Sequence, residues 1–356
     1  MKKRILTIIF ILFVFASAVF ILNYRSTNPH REKEKLFVLS DSLEVKQTYM
    51  RNQLNLLSQL VKSLYLSREY AYEGGIPQNY HLDDENIYKM SNDGLASVFY
   101  TGNRPIGDNL IRDVVMLEQI DDFLQKMFIG DQIIESVFYY DNSNFYRYYP
   151  FIEYRREFKN YDYRQNPQFK YILEHITKTG IVWLNDPYRS PFSGKWITSI
   201  ARPVLEGTNL LGLCVINLDV MKMNQFVDSI EPDIGILNTE GIVLHPDVRM
   251  AQEFEMPPWI TGAALNDTLS VMDYSILNYR NSALNKLGDN IINKRDFFYS
   301  QKIYNTDYMI ITNEMPTMGI YLYTLVYDDG SVAKMKRLRR KIRRAQEKRF
   351  REELPE

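Results

Sequence analysis

The first strong pattern in the chain is an apolar run near its amino terminus. Ile5 to Leu22 holds two hydroxyl residues among otherwise apolar ones, and the basic segment 1–4 precedes it. This length approaches the roughly 20 residues of a membrane-spanning helix, and basic flanks stay in the cytoplasm. The pattern predicts a single-pass anchor over 5–22 with the bulk of the chain exported. A cleaved signal peptide is the alternative, because Ala16 and Ala18 fit the small-x-small rule.

A heptad pattern then predicts one long helix over 30–73, leaving the membrane. Its apolar positions are Leu36, Leu39, Leu43, Met50, Leu57, Leu60 and Leu64. Lys46 and Gln53 interrupt this stripe. Such a stripe packs on its own domain or pairs with a second copy of the chain, and the pattern leaves both uses open. Consecutive glycines at 74–75 end the helix.

Beyond residue 74 the chain alternates short strand patterns with helices. Strand pairs flank polar turns at 141–144, 206–209 and 238–241, which indicates hairpins. The other predicted elements are helices over 107–128, 167–177 and 220–230 and strands near 181–184, 297–304, 308–312 and 320–327. The predicted fold class is therefore α+β, with two antiparallel-sheet modules in tandem over 74–230 and 231–330.

The formal net charge of -1 hides an uneven distribution. Residues 334–351 carry eleven basic residues and one acidic residue, so the rest of the chain is acidic. We expect 331–356 to form a basic helical tail. Anionic lipid, an acidic partner and plain solvation remain open as its surroundings, whereas nucleic acid is not an expected partner of an exported tail.

Motifs for catalysis are absent from the sequence. It has no phosphate-binding loop, HExxH, GxSxG or GxGxxG. Cys214 is the single cysteine, and four histidines leave little material for a soft-metal site. His81 precedes the acidic run 83–85, which is typical of a surface loop. We therefore expect no enzyme activity, no cofactor and no metal site.

Four segments resemble the double Cache family of extracytoplasmic sensor domains. YDYRQNPQFKYILEH (161–175), GIVWLNDPYRSPFSGKWITSIARPV (180–204) and GTNLLGLCVINLD (207–219) are similar to the membrane-distal module of that family. DIGILNTEGIVLHPD (233–247) is similar to the start of the membrane-proximal module. The resemblance implies a PAS-like antiparallel sheet in each module and a small-ligand site in the distal one.

Cache domains that bind amino acids share a pocket pattern of Tyr, Arg-x-Trp-Tyr, Tyr and Asp. Tyr161, Tyr188 and Asp219 match its first and last two members, and the last two receive the ligand ammonium group in the family. Asn166, Gln168 and Phe169 stand at the Arg, Trp and Tyr positions. The candidate ligand-binding residues are these six and Arg164, which matches the family's other arginine.

The loss of the arginine at position 166 changes the expected ligand. A buried carboxylate without a cationic partner costs about several kcal/mol, so an amine or a neutral polar molecule is favoured over an amino acid unless Arg164 or Arg202 turns inward. Simpler roles also fit, because Asp219 stands where a helix N-cap is expected and the tyrosines can serve as packing residues. A pocket without any ligand is the remaining case.

The sequence thus predicts a bacterial membrane-anchored sensor or binding protein. It would sit in the cytoplasmic membrane with its modules in the periplasm or outside the cell, bind a small polar ligand, and relay the signal through the long helix to a dimer mate or a partner protein. The alternative is a ligand-free envelope interaction protein that uses the Cache-like surface and the basic tail.

Overall fold

The computed structural model describes residues 29–67, 76–102, 105–158, 165–247, 250, 275–279, 281–293 and 298–327. They form an α+β fold with two antiparallel sheets and a long amino-terminal helix. The predicted membrane segment 5–22 and basic tail 331–356 lie outside these residues. Within the ranges above, no helix has both the length and the apolarity that crossing a bilayer requires.

The long helix, α1, covers Pro29–Leu66 and ends before the predicted end near Tyr72. From residue 46 onward, its buried stripe passes through positions 47, 54 and 61, one residue after the predicted positions 46, 53 and 60. Lys46 and Gln53 lie beside the core and do not interrupt it. The buried positions are Glu32, Leu36, Leu39, Ser40, Leu43, Gln47, Met50, Leu54, Leu57, Val61 and Leu64. Intramolecular packing, one of the two uses left open, is therefore what this stripe does.

The chain divides into two compact units, and the boundary falls within α1. One unit comprises Ser42–Ile230 and Thr317–Gly319, and the other comprises the rest of the chain. We call them the eight-stranded unit and the five-stranded unit after their sheets.

The eight-stranded sheet pairs its strands antiparallel in the order β1-β2-β3-β5-β4-β8-β7-β6. The strands are β1 Tyr80–Leu82, β2 Ile87–Lys89, β3 Ser97–Tyr100, β4 Ile134–Asp141, β5 Phe145–Tyr149, β6 Val182–Arg189, β7 Trp196–Glu206 and β8 Asn209–Asp219. The predicted hairpins at 141–144 and 206–209 are confirmed. Their turns place Asn144 and Gly207 at positive φ, 71° and 59°, which these residue types tolerate.

One face of this sheet is covered by helices. The predicted helix over 107–128 forms as α2 Asp108–Met116, a 3₁₀ turn Leu117–Ile120, and α3 Asp121–Gly130. These elements and the carboxyl-terminal half of α1 share one apolar core with alternate residues of the strands. The Tyr65 hydroxyl of α1 also donates to Asp141, a buried carboxylate in the β4–β5 hairpin.

A fully buried ion pair lies within this helix-covered face. The Arg147 guanidinium in β5 donates to Asp121 Oδ1 at 2.6 Å, to the Tyr80 hydroxyl at 3.1 Å and to the Val114 carbonyl at 2.7 Å. Burial lowers the pKa of Arg147, but Asp121 outweighs it and the pKa is raised. Arg147 therefore links the first turn of α3, β1 and α2 to the central sheet.

The five-stranded sheet has the antiparallel order β10-β9-β13-β12-β11. Its elements are β9 Gly235–Asn238, β10 Val243–His245, β11 Phe298–Ile303, β12 Thr306–Met315 and β13 Ile320–Tyr327. The predicted hairpin at 238–241 and the predicted strands near 297–304, 308–312 and 320–327 are confirmed. The sheet packs against the helix Ser282–Asn293 through a second apolar core.

Polar contacts fix the first residues of α1 within the five-stranded unit. Lys35 Nζ lies 3.2 Å from Glu32, 3.7 Å from Glu231 and 3.4 Å from Asp233. Burial lowers the pKa of Lys35, but these carboxylates outweigh it and raise the pKa. The Asn313 amide donates to Ser40 Oγ at 3.1 Å, so the buried hydroxyl of Ser40 has a hydrogen-bond partner.

We predict that Arg147→Met strongly destabilises the eight-stranded unit. The change leaves the buried Asp121 with the more distant Lys89 Nζ, 4.0 Å from its Oδ2, as its cation, and breaking a buried pair costs about 3–5 kcal/mol. Urea unfolding followed by circular dichroism measures the loss. Arg189→Met, at an exposed arginine, is the control and should change stability little. Equal effects of the two changes would contradict the role of the Arg147 pair.

Candidate ligand-binding site on the aromatic face

The face of the eight-stranded sheet opposite α1 is covered by aromatic rings, and we call it the aromatic face. Its rings are Phe99, Phe138, Tyr140, Tyr146, Tyr148, Phe158, Phe169 and Phe192, all of them buried. Neighbouring rings lie at centroid distances of 5.0 Å for Phe99 and Tyr146 and 5.7 Å for Phe138 and Tyr148. This face places hydrophobic surface and ring edges beside the polar groups described next.

A chain of hydrogen bonds crosses four strands on this face. The Tyr188 hydroxyl lies 2.6 Å from Ser199 Oγ, which donates to Asn217 Oδ1 at 2.7 Å. Asn217 Nδ2 in turn donates to Ser136 Oγ at 2.9 Å. We call these four residues the polar ladder. Buried polar groups need such partners, so the ladder satisfies the polar side chains that β4, β7 and β8 carry into the interior.

A buried carboxylate, Glu135, lies next to the ladder. It falls at a bulge in the pairing of β4 with β8, between Ile134 and Ser136, and it is 7% exposed. The Tyr148 hydroxyl donates to Glu135 Oε2 at 3.3 Å, and burial raises the pKa of that tyrosine. In the part of the chain that the structure describes, no ion pair joins Glu135 to a lysine or arginine.

A second buried carboxylate, Asp219, ends β8 at the same end of the sheet and is 5% exposed. Its Oδ1 accepts from the backbone N–H groups of Met221 at 2.9 Å and Lys222 at 3.2 Å. Asp219 therefore caps the helix Val220–Ile230, as the simpler reading expects. Its Oδ2 lies 3.6 Å from Lys195 Nζ. Capping and contact with a cation thus use different oxygens of one carboxylate.

The residues near the predicted arginine position have local roles in the helix Pro167–Thr179. Asn166 Oδ1 accepts from the Gln168 backbone N–H at 2.8 Å and so caps this helix. Gln168 is half-buried. Phe169 is buried on the aromatic face with its ring 5.9 Å from Tyr140. Tyr161 and Arg164 lie outside the described residues, and their ligand role stays a prediction.

Arg202 does not face this site. Residues alternate between the two faces along β7, and Ala201 belongs to the aromatic face whereas Ile200 and Val204 belong to the helix-covered core. The Arg202 guanidinium donates to the Gly180 carbonyl at 3.4 Å. The inward turn that would have supplied a cation for an amino acid carboxylate is therefore not observed.

The structure adds residues that the motif comparison missed, namely Ser136, Ser199, Asn217 and Glu135. A signal for three of them is present in the sequence, because Ser136, Ser199 and Asn217 are polar residues inside otherwise apolar strand patterns. Such residues are buried at a cost unless they find partners. The bulge that turns Glu135 inward depends on strand pairing and has no local signal.

The acidic loop near His81 is self-contained. His81 Nε2 lies 3.0 Å from Asp83 Oδ2, and Asp83 Oδ1 accepts from the backbone N–H groups of Glu85 and Asn86. The His81 contact and these backbone donors lower the pKa of Asp83. Across the described ranges, no group of three or more His, Cys, Asp or Glu side chains is placed to hold a metal ion.

No family model and no curated protein sequence matches the chain. Among solved structures, it is similar to the extracellular domain of the proposed histidine kinase vpHK1S-Z8, with TM-score 0.45, 9% identity and coverage of 85% of this chain and 98% of that chain. The ligand-binding domain of the Campylobacter jejuni chemoreceptor Tlp3 with L-norvaline gives TM-score 0.43 and 11% identity, covering 83% and 88%.

A further similar structure is the ligand-binding domain of the Pseudomonas aeruginosa amino acid chemoreceptor PctB with L-Arg. It gives TM-score 0.38 and 13% identity, with coverage of 59% of this chain and 78% of that chain. These similar structures are sensor domains, the class that the sequence motifs resemble. The two chemoreceptor domains hold amino acids, whereas the sequence of this chain favours an amine or a neutral polar molecule.

We predict that Asp219→Asn keeps the stability of the fold while Asp219→Ala loses about 1 kcal/mol. Asparagine caps a helix as well as aspartate does, because its side-chain oxygen still accepts from Met221 and Lys222. Urea unfolding of both variants measures the difference. If asparagine destabilised as much as alanine, the negative charge and not the cap would hold this end of β8.

Proposed function

We propose that this chain is a non-enzymatic sensor domain of the double Cache type that binds a small molecule carrying an ammonium group. The observation that supports the proposal best is the presence of two buried carboxylates next to the polar ladder, Glu135 before Ser136 in β4 and Asp219 two residues after Asn217 in β8. The aromatic face beside them would receive the apolar part of the ligand.

The buried carboxylates favour a cationic ligand on energetic grounds. An ionised carboxylate taken out of water costs about several kcal/mol unless a cation or several donors satisfy it. Among the described residues, Glu135 accepts from the Tyr148 hydroxyl at a rather long distance of 3.3 Å. An ammonium group brings three donors and a positive charge, and its hydrogen bonds to carboxylates are among the strong ones.

An amine fits the described residues better than an amino acid does. The side chain at the arginine position, Asn166, is engaged in capping its helix, and Arg202 lies on the other face of the sheet. Lys195, the cation beside Asp219, is half-exposed and already contacts that carboxylate, so it would hold a ligand carboxylate weakly. An amino acid would depend on this weak partner or on Arg164, which lies outside the described residues, so amine and amino acid are the two arms of the test.

The sensor architecture that we propose keeps the predicted order of parts. The segment 5–22 anchors the chain in the cytoplasmic membrane, PAS-like modules over 74–230 and 231–330 lie outside the cytoplasm, and α1 relays the signal. If α1 pairs with a second copy, it must use a surface other than its buried stripe. Val38, Val45 and Leu56 are half or more exposed, and spacings of 7 and 11 residues place them along one side of the helix.

Calorimetric titration of the full chain, purified in mild detergent, tests the proposal. We predict that n-butylamine binds and that L-norvaline, which adds a carboxylate to the same carbon chain, binds at least about tenfold more weakly. The half-exposed Lys195 is a weak partner for that carboxylate and does not offset the cost of burying it. Asp219→Asn should abolish amine binding while the variant stays folded.

Other outcomes would change the assignment. Tighter binding of L-norvaline would make the chain an amino acid sensor whose carboxylate is held by Lys195 or by a cation outside the described residues. Absence of binding by any amine or amino acid would favour the ligand-free envelope interaction protein, and deletion of 331–356 with partner capture would then be the relevant experiment.

A further inference from the structure

The loop between β6 and β7, Ser190–Lys195, is closed by its own hydrogen bonds. Ser190 donates its N–H to the Lys195 carbonyl at 2.8 Å and accepts from the Gly194 N–H at 2.9 Å. Ser190 Oγ accepts from the N–H groups of Phe192 and Ser193. Gly194 has φ +70°, which favours glycine. The loop is thus a small preformed unit.

Phe192, at the tip of this loop, fills the centre of the aromatic face. Its ring lies 5.1 Å from Phe158, 5.2 Å from Tyr148, and 5.3 Å from both Phe99 and Tyr146. All four contacts are edge-on, with interplanar angles of 65° to 88°. Aromatic pairs favour this arrangement. Phe192 therefore occupies the place where a ligand ring would find its best contacts.

Lys195, three residues further on, supplies an ammonium group to the same site. Its Nζ lies 3.6 Å from Asp219 Oδ2, and its side chain is 53% exposed while the Asp219 side chain is 7% exposed. A half-exposed lysine holds such a contact weakly, because solvent screens it and the long side chain loses rotamer freedom. Asp219 is thus partnered by a cation that is easily displaced.

We infer that the Ser190–Lys195 loop is a built-in occupant of the ligand site and that the ligand displacing it is an aromatic primary amine. One loop presents a ring and an ammonium group together, which are the two groups that the site receives. This inference rests on the proposed function, since it names the ligand class of the same site.

Displacement of the loop is physically accessible because its internal hydrogen bonds need not break. Displacement breaks the Phe192 ring contacts, the Lys195 ion pair and the contact of Ser190 with the Tyr148 hydroxyl. A ligand with a ring and an ammonium group replaces the first two in kind. The apparent affinity of the wild-type site is then the intrinsic affinity multiplied by the fraction of molecules in which the loop is displaced.

The test is titration calorimetry of the full chain with 2-phenylethylamine. Phe192→Ala removes the built-in ring, and we expect it to bind at least about tenfold more tightly than wild type, because apolar cavities lined by side chains bind ring compounds and no ring must be displaced. Lys195→Gln removes the competing ammonium group and should tighten binding by about threefold or more, given the weakness of exposed ion pairs.

Phe145→Ala is the matched control. Phe145 is a fully buried phenylalanine of the same sheet, on the helix-covered face, so its removal makes a cavity away from the site and should leave the affinity for 2-phenylethylamine unchanged. If Phe192→Ala does not fold, the affinity of Lys195→Gln for 2-phenylethylamine tests the inference alone. The loop inference is wrong if Phe192→Ala and Lys195→Gln bind no more tightly than wild type, or if Phe145→Ala gains as much.

Failure of the loop inference and failure of the proposed function give different results. If n-butylamine binds wild type through Asp219 but Phe192→Ala and Lys195→Gln leave the affinity for 2-phenylethylamine unchanged, the site is an amine site without a displaceable loop. If neither amine binds wild type or any variant, both the proposed function and the loop inference are overturned.

Discussion

Burial of the central strands on both faces is the constraint on which the rest of the eight-stranded unit depends. Every residue of β4 is buried, and β5 and β8 are buried over most of their length. A polar side chain in these strands cannot reach water on either face, so it must find a partner inside. Arg147 finds Asp121 on the helix-covered face, and Ser136 and Asn217 find each other on the aromatic face.

The same constraint explains why the candidate site lies where it does. In the middle of the sheet, the ladder and the Arg147–Asp121 pair give each of these polar side chains at least one partner inside the protein. At the end of β4 and β8, a bulge turns Glu135 inward and Asp219 divides its two oxygens between a helix cap and Lys195. Two carboxylates at one edge of a nearly dry face create a negative region, and a cation with donors relieves it.

Local patterns in the sequence were sufficient for most elements, because helices and hairpins are specified by neighbouring residues. The turns at Asn144 and Gly207 are examples. Non-local pairing was beyond such patterns. The short strands β1 to β3 form because they pair with neighbouring strands. Packing decides that Gln47 and not Lys46 is buried in α1. The position of Asn166 in a ligand motif did not indicate that it caps a helix.

The occupied aromatic face also bears on the choice between a sensor and a ligand-free interaction protein. Both have the same resting structure, with Phe192 among four rings and Lys195 beside Asp219. In a sensor, the free energy of ligand binding to the vacated site exceeds the free energy that displacing the loop costs. In a ligand-free interaction protein, it does not. A ligand that replaces both loop groups offsets that cost, whereas one that replaces only the ammonium leaves the Phe192 contacts uncompensated. The chemistry of the loop therefore decides which ligands can operate this domain.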